Sequence, residues 1–168
     1  DDSEVPDTHT IMYEFADTAM TYEHTLYAPY MEKTTTTIRR KDEYPYWTQN
    51  STRIEFYGTE LMMTLGRHGG GWQVTTSGGR VVEQMYGRPC DHEHYTDFLN
   101  CVKDRKRPRA DIALAHVSGS MAHMSNIAYR VGNVSLGWDA EKERFTDNDA
   151  ANKLLARENR QPYDVPRI

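Results

Sequence analysis

The sequence predicts an α+β domain: a largely antiparallel, open β-sheet with helices packed on one face. Three observations predict it. Short aromatic and β-branched runs punctuated by glycine fill the first half of the chain. After Pro89 the apolar spacing changes to that of helices. The strand-like runs come first and the helical ones afterwards, a separation that belongs to α+β layouts rather than to alternating parallel ones. The 168 residues suit one domain over 1–168.

In chain order, Thr10–Phe15 and Met20–Tyr27 flank the polar break at Ala16–Ala19, as the two arms of a hairpin do. Thr34–Ile38 is a β-branched run that predicts a strand or extended edge with one wet face. Tyr44-Pro45-Tyr46-Trp47 reads as an aromatic loop, because proline and its predecessor resist helix. Thr52–Tyr57 alternates and turns at Gly58. Leu61–Leu65 returns, Gly66–Gly71 turns again, and Trp72–Thr76 completes a meander. Tyr95, Phe98, Leu99 and Val102 then fall at i, i+3, i+4 and i+7, one face of a helix. Asp111 is the natural N-cap of a second helix that runs to Gly132, with Ser118-Gly119-Ser120 as a candidate kink. Val134–Trp138 predicts a last strand. Asp147–Arg157 predicts a short helix capped by Asp147 and stopped by the prolines beyond it.

The net charge is −5, which argues against nucleic acid, whose phosphates require a clustered positive field. The basic run Lys103–Arg109 reads as a helix C-terminus favoured by the helix dipole and closed by Pro108. Two cysteines, Cys90 and Cys101, do not make a disulfide framework. No apolar stretch approaches eighteen residues, so no membrane span is expected. The polar, acidic start is no signal peptide, and the chain reads as beginning in mid-protein, which leaves the compartment open.

Residues with chemistry are few. On an extended segment Cys90, His92 and His94 would share a face and suit zinc, but no fourth ligand stands near them, and no metal site is assigned. His116 and His123 lie two helical turns apart on one face. They can face a ligand, although a buried histidine on a backbone carbonyl is the commoner role. The glycines at 66 and 69–71 lie between two strand-like runs, whereas a dinucleotide fingerprint must follow a strand and open a helix. Tyr46 and Trp47 can stack on a sugar ring or cover the edge of the core.

The helical part carries a family resemblance. His94, Phe98-Leu99, Cys101-Val102 and Arg105-Lys106-Arg107-Pro108 resemble the H-x-x-x-F-L-D-C-V-R-S-R-K-R-P segment of the Gfo/Idh/MocA oxidoreductases, named for glucose–fructose oxidoreductase and inositol dehydrogenase. Ala110-Asp111-Ile112 with His116, the run His123–Gly132, the run Trp138–Phe145 and Asn152–Glu158 are similar to later family segments. Ile54–Glu60 is similar to the family's I-x-F-Y-G-T-E turn, with Leu61 where glycine is usual. The resemblance covers most of the chain in order and points to the C-terminal domain of the bacterial, sugar-associated branch.

That resemblance implies a partner Rossmann domain on the N-terminal side that binds NAD or NADP. It also implies a homo-oligomer through the β-sheet and a sugar or polyol substrate, in a soluble protein of the bacterial cytoplasm or periplasm. The family's catalytic lysine comes from a Glu-Lys-Pro motif. Here Glu32-Lys33 and Glu141-Lys142 are followed by Thr34 and Glu143, so no catalytic and no cofactor-binding residue is assigned, and the chain is expected to be inactive alone. The residues expected to face substrate are Tyr46, Trp47, His94, His116 and His123. Two alternatives stay open: a stand-alone carbohydrate-binding or assembly module, and part of a nicotinamide-dependent glycosidase or lyase.

Overall fold

A computed structural model describes residues 6–26, 32–45, 47, 50–67, 69–157 and 159–162. The described strands are arranged in sheets of two, four and two, and four helices accompany them, an α+β fold. The chain forms two compact units. One combines Thr10–Tyr22 with the chain from Asp111 onward, and the other combines Asp7–His9 with Glu23–Ala110.

Strands β1 (Thr8–Glu14) and β2 (Ala19–Thr25) form the predicted hairpin, closed by the Phe15 amide donating to the Thr18 carbonyl. Thr8 faces Thr25 and His9 faces His24 across it, which places Ile11 and Tyr13 on one face and Met12 and Glu14 on the other. His9, Ile11 and Tyr13 are the half-buried set. The expected strand at Thr34–Ile38 is instead the short helix α1 (Thr36–Arg39). The Thr35 hydroxyl accepts from the Ile38 amide, and this local cap outweighs β-branched propensity.

Strands β3 (Arg53–Tyr57), β4 (Leu61–Gly66), β5 (Trp72–Thr76) and β6 (Val81–Met85) make an antiparallel meander. Its register puts Ile54 and Phe56 opposite Leu65 and Met63, and these opposite Trp72 and Val74. Apart from Glu83 opposite Val74, this face is apolar, and at Ile54, Phe56 and Met85 it is more than half exposed. The other face carries a polar network. Arg53 and Tyr57 both donate to the Glu55 carboxylate at 2.8 Å, and these two donors hold Glu55 below the usual carboxylate range. Strand β6 is not evident in the sequence, because a bulge at Val74/Thr75 breaks its alternation.

The turns explain the glycines. Gly69 and Gly71 have φ of +87° and +74°. A Cβ on Gly87 would collide with the backbone of Gly69 and Gly71, so three strand ends meet where no side chain fits.

Helix α2 (Asp91–Asp104) presents the predicted stripe and ends in a left-handed Arg105, with the Lys106 amide donating to the Cys101 carbonyl. Helix α3 (Ile112–Arg130) starts at Asp111, whose carboxylate accepts from the Ala113 amide at 2.7 Å. It runs unbroken through Ser118-Gly119-Ser120, where both serine hydroxyls donate to carbonyls four residues back. It closes at Gly132, φ +109°, with the Asn133 amide reaching the Ala128 carbonyl. Strands β7 (Gly137–Asp139) and β8 (Arg144–Thr146) then pair, followed by α4 (Asp149–Lys153). The cap of α4 is Asn148 rather than the expected Asp147, which is itself left-handed at φ 54°. Among the described residues Ile127, Phe145 and Ala151 are the buried apolar ones, with Met124, Val131, Leu136 and Trp138 packed around them.

Candidate functional site

Ile127 of that core, with Met124 packed against it, lines a cavity of about 760 Å³ between α3 and the β7–β8–α4 segment. One wall is a single face of α3, where Ile112, His116, Gly119, His123, Asn126 and Arg130 recur every three or four residues. Gly119 leaves a notch, as nothing lies within 4 Å of where its Cβ would be. The opposite wall comes from Trp138, Glu143, Leu154 and Leu155.

Each wall is set by local chemistry. Trp138 meets Phe145 edge to face at 5.0 Å, which fixes its ring. The Asn152 side chain clasps the strand it follows: its carbonyl accepts from the Phe145 amide at 3.0 Å, and its amide donates to the Phe145 carbonyl at 2.9 Å. The β7–β8 turn is organised by Asp139, whose carboxylate accepts from the Lys142 ammonium and from the Glu141 and Lys142 amides, at 2.9 to 3.1 Å. The Lys142 side chain is the leading cause that keeps Asp139 below the usual aspartate range. That turn leaves Glu143 left-handed, φ 49°, with its carboxylate 2.8 Å from His116 Nε2. Behind α3, Tyr13 donates to the Met121 carbonyl at 2.7 Å, and burial raises its phenol above the ordinary value.

The five residues expected to face substrate fare differently. Tyr46 lies outside the described residues. Trp47 is half-buried: its ring lies against Gly66, and its indole N–H donates to Gln73, which donates onward to Gln84. Tyr44 stacks on Tyr86 at 4.7 Å beside it, so the described part of the aromatic loop caps the strand ends. His94 is exposed on α2, its ring 5.6 Å from that of Tyr95. His116 and His123 are exposed and line the same cavity; neither is a buried histidine held by a carbonyl. Trp47 and His94 belong to the other unit. Because Asp91–Asp104 is helical, alternation does not bring His92 and His94 to one face with Cys90. No group of three or more metal-ligating side chains occurs among the described residues.

Glu143, Trp138 and Arg130 enter the cavity without having been assigned from sequence. Glu143 pairs with a histidine 27 residues earlier through a left-handed turn, which no spacing rule reports. The run Trp138–Phe145 was the available signal: a resemblance segment sharing a chain with the α3 histidines.

Fold and cavity together define an α+β domain that offers a ligand-sized recess on a helix–hairpin scaffold. The family model of the oxidoreductase family, C-terminal alpha/beta domain, matches residues 74–165, more than half of the chain, and the chain belongs to this Gfo/Idh/MocA family. The match begins within β5 and takes in β6 to β8 and α2 to α4. No curated protein and no solved structure matches it. No described helix is long and apolar enough to cross a membrane.

Proposed function

We propose that the chain is the substrate-pocket and oligomerisation domain of an NAD(P)-dependent oxidoreductase acting on a sugar or polyol, with the α3 cavity as the substrate wall. The observation that carries this reading is the convergence of His116, His123 and Glu143 on one recess of about 760 Å³. That volume lies within the range of small-molecule sites. Vicinal hydroxyls need adjacent donors and acceptors beside an apolar plate. The imidazoles, Asn126 and the Glu143 carboxylate supply the former, and Trp138 with Leu154 supplies the latter.

The described residues do not fit a nicotinamide dinucleotide. The glycines of the β4–β5 turn lead into a strand, and Gly87, a single glycine ahead of α2, is consumed by backbone-to-backbone approach to Gly69 and Gly71, so no glycine run opens a helix N-terminus that could meet a pyrophosphate. Under this reading the cofactor and the hydride-transfer machinery belong to a Rossmann domain, and this chain binds and orients substrate. Association is assigned to the apolar face of β3–β6, where Ile54, Phe56 and Met85 are more than half exposed.

The test is titration of the chain with hexoses, inositols and acyclic polyols, followed by nuclear magnetic resonance of the histidine rings. The reading expects shifts at His116 and His123, with His94 unmoved, and loss of the shifts in Glu143→Ala. Shifts confined to His94, or none with any polyol, would remove the cavity as a substrate wall.

A further inference from the structure

The charges of this chain are segregated. The first 32 residues hold eight Asp and Glu and no Lys or Arg, whereas Lys103–Arg109 holds five cations and one acid. Among the described residues, members of each set stand exposed. Glu14 and Glu23 stand on the outer face of the β1–β2 ribbon, the face opposite Ile11 and Tyr13, and Asp17 stands at its turn. All three are exposed, and none of their carboxylates has a partner among the described residues. Exposed Met12 and Phe15, 60% and 51% accessible, lie among them.

The basic run is a held loop rather than a fraying helix end. Arg105 takes the left-handed position, the Lys106 amide returns to the Cys101 carbonyl, and the Arg109 amide donates to the Asp97 carboxylate at 2.9 Å. The cationic residues of the loop are all exposed at the end of the α2 stripe, where Leu99 and Val102 are 56% and 49% exposed. Lys103 and Arg105 have no partner among the described residues, and Lys106 is only loosely paired with Asp104 at 3.6 Å. One surface is thus acidic with apolar side chains at its centre, and the other is basic beside an apolar stripe.

We propose that the α2 end with its basic loop docks on the outer face of the β1–β2 ribbon of a second copy of this chain. Charge complementarity selects the occupant. At a net charge of −5 two copies repel at long range, but that repulsion is screened beyond about 8–10 Å at ordinary ionic strength, while contacts of opposite sign at the interface persist. Pairing through these surfaces is electrostatic and so weakened by salt. Association through the apolar β3–β6 face is hydrophobic and strengthened by excluded salts such as sulfate, so the two modes are distinguishable.

The experiment is sedimentation velocity on the 168-residue chain in about 0.1 M and about 1 M sodium chloride, between which the screening length falls from about 10 to about 3 Å. Three proteins are compared: the parent chain, a ribbon variant with Glu14→Lys, Asp17→Lys and Glu23→Lys, and a loop variant with Lys103→Glu, Arg105→Glu and Lys106→Glu. The proposal expects the parent chain to self-associate at least about tenfold more weakly at the higher salt. Each variant alone is expected to associate at least about tenfold more weakly than the parent chain, and their equimolar mixture to recover association, because each then meets a surface of opposite sign. Circular dichroism of both variants verifies the fold, and recovery in the mixture is a readout that a folding defect would not give. Association unchanged by salt and by both variants but abolished by Phe56→Glu would overturn the proposal in favour of the sheet alone. A monomer under every condition would overturn both.

Discussion

Replacing Asn152 with alanine tests how the cavity wall is held. The Asn152 side chain is the partner of both the amide and the carbonyl of Phe145, at 3.0 and 2.9 Å, and Phe145 is only 5% exposed. A typical bond contributes about 0.5–1.5 kcal/mol net, and a buried group left unpaired costs about 1–3 kcal/mol. Water can reach part of the site, so the sum is taken near the lower ends, about 2–4 kcal/mol. At about 1.4 kcal/mol per factor of ten, that corresponds to at least about 30-fold faster hydrogen exchange of the Phe145 amide. Exchange followed residue by residue is the right assay, because the two units need not unfold in one step. Asn152→Asp is the internal control: it keeps an acceptor for the Phe145 amide but loses the donor, so exchange accelerates less at that amide while stability still falls. Exchange at Phe145 within about twofold of the parent in Asn152→Ala would refute the reasoning, since the clasp would then contribute nothing.

Other consequences are as direct. Phe145→Ala removes one of the three buried apolar side chains among the described residues and the edge contact to Trp138, and about 3–5 kcal/mol of stability with it, read as a loss of the α3–α4 unit in urea unfolding. Glu143→Gln changes stability by less than about 0.5 kcal/mol, as both partners of the His116 pair are more than half exposed, yet it weakens polyol binding measured by calorimetry. Glu55 is held below its ordinary value of 4.5, so its contribution of up to about 1 kcal/mol is present at neutral pH and lost as pH falls through its lowered folded-state value. The difference in urea midpoint between the parent and Glu55→Gln should therefore shrink on acidification. Gly87→Ala forces a methyl into the Gly69 and Gly71 backbones and should prevent the β4–β6 ends from closing, seen as lost dispersion of amide resonances at Trp72 and Met85.

Much of this fold is legible in the sequence because its signals are local. Asp111 and Gly132 bracket α3 since an N-cap carboxylate and a glycine at positive φ act within a few residues. The β3–β5 meander follows from alternation and glycine turns. Where two local signals compete, the sequence misleads: Thr34–Ile38 has strand propensity, but Thr35 caps a helix there. The same holds at Asp147 and Asn148, two good caps side by side, of which the second is used because the first turns left-handed. The cavity was only half visible. His116 and His123 share a face by helical period, whereas Glu143, Trp138 and Leu154 reach it through the β7–β8 turn and the Asn152 clasp. Trp47 shows the converse, an aromatic loop residue whose polar atom is spent on Gln73 within the fold.

The measurement that tests the central claim most directly is calorimetry of NAD(H) and NADP(H) binding, on this chain and on the same chain joined to a Rossmann domain. The account predicts heat only from the joined protein, with the α3 cavity then available to substrate. Binding of either nucleotide by this chain alone would contradict it, because the glycine-rich strand ends and the α3 cavity would have to hold a cofactor that their geometry does not fit.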